Sequence, residues 1–558
     1  MIRKFRLMTT FVFLMMTLPA NAETSETLQL WIDGQSYDVA LTGNERLASA
    51  LGTQQNQSQG RHYRGKLAED SESWVRVSRL DGGWEGLAFV FGRMHVVGGD
   101  SSRNQLANQS FSFQSAPQCG LDHAHTEAEI SPDSIMSPMM AQAVSASYDS
   151  LCENRVAGAC LLLELEVAFD RQFQDRFPGD YLDRALSILN IVEGFYFEQL
   201  GIGLDVLSMT FLDSDVFTTS SSASDLLNDV SAKVLAGSLP FQQSRQALFH
   251  LITGRGFDGN TAGVAFVGSF CGGPGPRTGV SRYTNSNVTT AVVVAHELGH
   301  NLGSLHDGDG NSCGDSFIMS PFARPTASTF SSCSQSSFIS TINNRTSLEQ
   351  CFNFPADASM AERESNPEAL AAAENFVAYF DVTYEQASQS ADWLEVSGEI
   401  EGESAAFELV TLDGAACETD GSTYRCKDII PGISDMALVV QGVSGTGEEL
   451  VISQRVALIS LSGEVLDIRP ENNRLESRYA VEPATESEPD SGGEQTGDGD
   501  TIVRADPDQT GNNASVGSGG SSGGGSMGFG WLVLAAMAGA LKWRQQGRRP
   551  GPSGSPGM

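Results

Sequence analysis

The residues best suited to chemistry lie together in "HELGHNLGSLHD", residues 296 to 307. The chain has eight histidines, and three of them fall in this stretch. On a helix, residues four apart share a face, so His296 and His300 project side by side and suit two imidazoles on one zinc ion. Glu297 falls beside them, close enough to take a proton from a metal-activated water. The helix cannot bring a third histidine round to the same point. The chain must turn back, and Gly303 is where it can, because glycine accepts positive φ without strain. His306 is then swung in as the third ligand. Three protein ligands and one open position are the layout of a catalytic zinc site, not a closed structural one. The competing reading of a bare H-E-x-x-H is an accidental or structural histidine cluster. The glycine and third histidine in register set this stretch apart.

The element that must carry the pair is "NVTTAVVVAHELGHNLG", which reads as the start of a helix despite its β-branched residues. Upstream, "CLLLELEVAFD", "IGLDVLSMTFL", "ALFHLITG" and "GVAFVGSF" are strand-like. "YLDRALSILNIVEGFYFEQL" has the spacing of an amphipathic helix, and "DLLNDVSAKVLAGS" is helical in character. Strands alternating with helices predict a mixed α/β unit, taken as residues 151–356. Before it, "LQLWIDGQSYDVAL", "SWVRVSRL" and "GLAFVFGRMHVVGG" are short strand-like runs between Gly and Asp turns, followed by a polar connector up to residue 150. After it, short strands return over 357–481 and predict a β-sandwich module. The fold class expected is multidomain α+β: a β-rich N-terminal unit, a catalytic domain with a mixed twisted sheet and an active-site helix, and a C-terminal sandwich.

Lys plus Arg number 34 against 69 for Asp plus Glu, a net charge of -35. Such acidity excludes a nucleic-acid partner, which wants basic surface. Residues 1–22 read as an export signal: Arg3, Lys4 and Arg6, an apolar run, then Ala20-Asn21-Ala22 as the cleavage site. Export makes disulfides the default for the nine cysteines, and an odd number leaves one over. Residues 482–526 form an acidic and then Gly/Ser-rich linker with no means of building a core. An apolar segment and basic cluster follow over 527–549, the apolar part being short for a membrane span.

The central stretch resembles the metzincin proteases, and specifically the adamalysin (reprolysin, ADAM-like) family. Asp307 matches the family's aspartate after the third histidine. "SFIMSPFA" resembles the Met-turn under the metal, with Met319 as its methionine. "ELEVAFD" looks like the first catalytic-domain strand. "GVAFVGSFC" looks like the edge strand that receives substrate, which makes Gly263, Val264, Ala265 and Phe266 substrate-binding residues; unpaired backbone groups on such an edge can pair with an extended peptide. Pro321 and Phe322, in "SPFA", should line the pocket for the side chain after the cut. "GRHYRGKLAEDSESWVRVS" looks like the family's propeptide, which assigns 23–150 to that role. The resemblance pairs Cys271 with Cys351 and Cys313 with Cys333; local spacing alone suggests Cys152–Cys160 and Cys417–Cys426. It also implies a structural Ca²⁺ near the last catalytic-domain cysteine, to which Glu164 and Asn353 could contribute, although "CFN" departs from the usual spacing. The C-terminus is similar to the GlyGly-CTERM sorting signal of Gram-negative bacteria. That implies transient inner-membrane anchoring, an intramembrane sorting protease as partner, and release or surface attachment; the alternative is a plain tail anchor.

Cys119 is the cysteine left over. Its context "PQCGLDH" looks like the cysteine switch of metzincin zymogens, in which a thiolate fills the fourth zinc position and Gly120 lets the backbone pass close over the cleft. The residues after the glycine depart from the usual form. An intermolecular disulfide, an inert thiol, or metal binding by His123 and His125 are the other readings. The expectation is an exported zinc endopeptidase made as a latent proenzyme, acting on proteins or peptides. The rival classes are a surface adhesion protein built on a protease-like domain, and a zinc hydrolase of non-peptide amides.

Overall fold

The computed structural model describes residues 26–98, 117–120 and 148–483, apart from two single positions in the first range and short breaks in the last. The expected export signal, most of the connector, the linker and the apolar–basic terminus lie outside the described residues. Among those described, no helix is long and apolar enough to cross a membrane.

Strands β1 (Glu26–Ile32), β2 (Gln35–Gly43), β3 (Arg61–Leu67), β4 (Asp70–Leu80), β5 (Gly83–Val90) and β6 (Arg93–Val97) form a six-stranded meander. Alternation sets the faces: along β1, Leu28, Leu30 and Ile32 turn inward while Thr27, Gln29 and Trp31 turn out. These residues build a core with Val39, Leu41, Tyr63, Val75 and Val77. A short helix, α1 (Glu45–Ser49), follows β2. Strand β4 is buried on both faces. Val75 and Val77 serve the sheet's own core, whereas Trp74 joins Leu47, Leu51 and Leu87 in the core of the central unit.

The central unit begins with β7 (Gln118–Cys119) and the single turn α2 (Tyr148–Leu151), then β8 (Leu161–Phe169), α3 (Arg171–Arg176), α4 (Tyr181–Leu200), β9 (Ile202–Phe211), α5 (Ala223–Leu235), β10 (Leu248–Thr253), β11 (Thr261–Ala265), β12 (Thr278–Arg282), α6 (Asn287–Asn301), α7 (Ser332–Asn343) and β13 (Phe352–Asn353). All nine residues of β8 are buried, as suits a strand with neighbours on both edges. Strands β9, β8, β10 and β12 run parallel; β11 is antiparallel to β12, and β7 pairs with β11 at the sheet's edge. The sheet is therefore mixed.

Two expectations need correcting. Helix α4 is not amphipathic: only Tyr181, Arg184, Glu198 and Gln199 of its twenty residues escape burial. The central unit covers one side and the N-terminal sheet the other. The edge strand also stops at Ala265, so Phe266 falls just past its end, where its carbonyl accepts from the Asn301 side chain at 2.9 Å.

From Ala356 onward two further sheets share one core, which includes Phe380, Leu394, Val440, Leu450 and Val456. Ala356–Glu362, Asn375–Gln386, Asp435–Val443 and Ala406–Leu412 belong to one sheet; Trp393–Glu401, Glu449–Ser460 and Arg474–Glu482 belong to the other. The described residues are β-rich, with several sheets and few helices.

Candidate metal centre and active site

Helix α6 starts on an N-cap, Ser286, whose hydroxyl accepts from the Thr289 N–H at 3.2 Å. All fifteen of its residues are buried. The burial outweighs the poor helix propensity of "VTTAVVV", since tertiary packing supplies most helical stability. The helix ends at Asn301, and Gly303 turns the chain with φ +101°. No side chain fits at Gly303: a Cβ would sit 2.1 Å from Thr341 Oγ1.

The turn brings His306 to the other two. Ring centroids lie 4.6 Å apart for His296 and His300, 5.2 Å for His296 and His306, and 4.9 Å for His300 and His306. His296 Nδ1 lies 2.7 Å from the Ile318 carbonyl, and His300 Nδ1 lies 2.7 Å from the Ser304 carbonyl. A carbonyl only accepts, so each Nδ1 carries the proton and each Nε2 lone pair is left to face the common point. His296 Nε2 is buried with no hydrogen-bond partner. That orphaned nitrogen, beside two more imidazoles, is what a bound cation would satisfy. Ligand atoms of His296, His300, His306 and Cys119 all lie within 4.8 Å of one another, the one such grouping of three or more among the described residues. Burial, with His306 adding to it, pushes the His296 imidazole down to about 3, and burial also pushes His300 well below its usual value. Both are held neutral, as metal ligation requires.

Glu297 points into the same space. Burial raises its carboxyl well above the ordinary range, and a bond from Cys119 opposes that rise. It sits under the edge strand β11, where a Cβ on Gly263 would lie 2.5 Å from Glu297 Oε1. Met319 is fully buried beneath the histidines, with Gly299 giving it room: a Cβ there would meet its sulfur at 2.5 Å. The Met319 carbonyl accepts from the Asp307 N–H at 2.9 Å. Asp307 in turn accepts from the hydroxyls of Ser331, at 2.5 Å, and Ser334, at 3.0 Å, at the start of α7. Burial nonetheless raises its pKa. The loop that carries His306, the Met319 turn and α7 are thus tied at one residue.

Cys119 stands outside the four disulfides and reaches the centre from another part of the chain. Its sulfur is 3.5 Å from His300 Nε2 and 3.8 Å from Glu297 Oε2. The segment carrying it is gripped from both sides. Gly120 N–H donates to the Gly263 carbonyl at 2.8 Å, Cys119 N–H to the Pro321 carbonyl at 3.1 Å, and Ala323 N–H to the Pro117 carbonyl at 2.9 Å. Gln118 also bridges Phe322. Residues 117–120 therefore lie extended between β11 and the 321–323 strip. Of the expected substrate residues, Gly263, Val264 and Ala265 are in β11, while Pro321 and Phe322 form the opposite rim. Val264 is buried among Phe249, Leu251 and Val280 on the far side of the sheet, so it offers backbone only.

The four disulfides are Cys152–Cys160, Cys271–Cys351, Cys313–Cys333 and Cys417–Cys426. Residues 163–331 match a family model described as Reprolysin_5, Metallo-peptidase family M12. The chain thus carries a metallopeptidase domain, and protein or peptide is the substrate class that goes with it. The crystal structure of metalloproteinase-II from Bacteroides fragilis is similar at 13% identity and a TM-score of 0.35, over 57% of this chain and 92% of that one.

The two residues named for calcium, Glu164 and Asn353, both lie beside Asp205. Asn353 donates its side-chain amide to Asp205, and the buried Glu164 is the cross-strand partner of Asp205 on β8 and β9. Several contributors were missed from the sequence. The carbonyls of Ile318 and Ser304 carry no residue-type signal, and Ser331 and Ser334 lie at the start of α7, a helix not anticipated from the sequence.

Proposed function

We propose that this chain is a zinc-dependent endopeptidase of the adamalysin kind, exported as a latent proenzyme and released or held at the surface of a Gram-negative cell. The observation that carries the reading is the meeting of three imidazoles with Glu297 and the Cys119 thiol, beneath a sheet edge that already grips an extended segment. His296, His300 and His306 would hold the metal. Zinc, when bound, supplies a Lewis acid that acidifies water and polarises the scissile carbonyl. Glu297 takes the proton of the attacking water and hands it to the departing amine, so the peptide C–N bond breaks with the charge balanced. Its raised pKa suits a group that must both accept and return a proton near neutral pH. The carbonyls and N–H groups of β11 orient the peptide by strand pairing, and Pro321 and Phe322 line the pocket beyond the cut. Cys119 blocks the centre until residues 117–120 leave.

Glu297→Ala tests the reading. The variant should keep its fold and its zinc, read by metal analysis, and lose at least about 10²-fold in turnover. Turnover near wild type would rule out the role. The rival adhesion reading would leave both proteins inert towards a diverse peptide library, with and without a chelator.

A further inference from the structure

The N-terminal sheet is joined to helix α4 by buried charge. Arg76, on β4, is fully buried, with Nη1 3.5 Å from the Glu193 carboxylate and Nη2 3.2 Å from that of Glu198. Arg46, from α1, pairs with the same Glu193 and donates to the Leu204 carbonyl on β9. Asn44 completes the arrangement, donating to Glu193 at 2.8 Å and to Asn190 at 3.0 Å. Asn190 donates back to the Tyr63 carbonyl at 3.1 Å. Two cations therefore hold one carboxylate, which stays ionised: Arg46 and Arg76 pull the Glu193 pKa down against burial. Apolar packing is interleaved. Trp74 meets Phe195 edge-on with centroids 5.7 Å apart, and the Arg76 guanidinium lies over Phe197 at 5.3 Å. Gly194 is what permits the approach, since a Cβ there would lie 2.6 Å from Arg76 Cγ.

The same sheet touches two more elements. Glu85, on β5, takes an ion pair from Arg184 at 2.8 Å and the backbone N–H of Asn287, the first residue of the active-site helix. Arg64, on β3, pairs with Glu471 of the C-terminal module at 2.5 Å. If the sheet left, Glu193 would lose both cations, and α4 would show Phe195, Phe197 and Gly194 to water. Surfaces that part in normal use are built differently, with polar groups that water can satisfy as well as the partner does.

We infer that residues 26–98 are a permanent subunit: once the chain is cut downstream of Gly120, they remain bound to the α4 face without a covalent link. The propeptide assignment enters only through the existence of that cut. The test is an insertion of a specific protease site between Gly120 and Tyr148 of the full chain, cleavage of the folded protein, and size-exclusion chromatography before and after extensive dilution. Both fragments should co-elute at every dilution and part only in denaturant. Arg184→Gln, a partly exposed position, should make them part at a lower denaturant concentration, and Glu193→Gln at a lower one still. Early release of the N-terminal fragment, with the larger fragment still folded by circular dichroism, would overturn the inference. So would a midpoint that neither substitution moves. Peptidase activity is not read, so the result stands or falls apart from the catalytic assignment.

Discussion

Replacing Gly263 by alanine tests how the proton-carrying carboxylate is held. The new Cβ would lie 2.5 Å from Glu297 Oε1, 2.7 Å from Cγ and 2.8 Å from Cδ, where ordinary contact begins at 3.4 Å. Because Cγ is touched as well as the oxygen, turning the carboxyl group alone does not relieve the clash. Glu297 is only 1% exposed, so it has nowhere near at hand to go. The carboxylate must retreat by roughly 1 Å, and a misplacement of that size costs on the order of 10²-fold in rate. In barrier height that is about 2.7 kcal/mol. The loss should fall on kcat, with KM little changed, because the β11 carbonyls that orient a peptide are not altered. Zinc should remain near one per chain, since His296 and His300 are anchored through Ile318 and Ser304 and not through Gly263. The assay is steady-state peptide hydrolysis by the activated protein, beside metal analysis and thermal melting of the same sample. A variant with full zinc and an undiminished kcat would refute the claim that Gly263 seats Glu297.

Cys119→Ala proenzyme should hydrolyse peptides before any cleavage, and thiol-modifying reagents should wake the wild-type proenzyme. A Cys119→Ala protein as silent as wild type, with zinc bound, would defeat the latency role. Gly303→Ala should lower both zinc affinity and melting temperature, because φ +101° and the contact with Thr341 leave no place for a methyl group; unchanged values for both would count against it. His250 gives a pH test away from the candidate metal centre. Burial holds its imidazole at about 3. It is neutral in the folded protein but takes up a proton in the unfolded chain below about 6.5. Its contribution is therefore intact above that pH and shrinks by about 1.4 kcal/mol per unit from there towards pH 3. His250→Gln should flatten the acid limb of the urea-stability profile by that slope, and parallel acid limbs would refute the assignment.

The candidate metal centre could be read from the sequence because its parts are local. Three of its groups lie within one helix, at a spacing fixed by 3.6 residues per turn, and the third histidine follows a glycine whose role is to reverse the chain. The strands of the catalytic unit were legible for a similar reason, as apolar runs bounded by turns. The end of β11 was not. "GVAFV" reads as strand throughout, but the strand stops at Ala265, and just past it the side chain of Asn301 donates to the Phe266 and Thr278 carbonyls. Gly263 was read as part of a substrate edge. Its second role, as the gap that receives Glu297, depends on a residue 34 positions away and leaves no pattern in the sequence.

Helix α4 shows the limit most plainly. Its run "LSILNIVEGFYF" places Asn190, Glu193 and Gly194 where periodicity assigns a solvent face. A polar residue on such a face is usually solvated, so the local inference was sound and its conclusion was still wrong. What overturned it was the pairing of those residues with Asn44, Arg46 and Arg76, more than a hundred positions upstream. An arginine at the centre of "WVRVS" reads as the outward position of a half-exposed strand by the same logic. Pattern alone shows neither side of the pairing, because each charge is buried only by virtue of its partner. Two elements that look solvated, far apart in sequence, are, in the folded chain, one interior. That arrangement binds the N-terminal sheet to α4 and, through Glu85, to the start of the helix that bears His296 and Glu297. The stability of the catalytic unit should therefore depend on residues that a reading of the active site alone would discard.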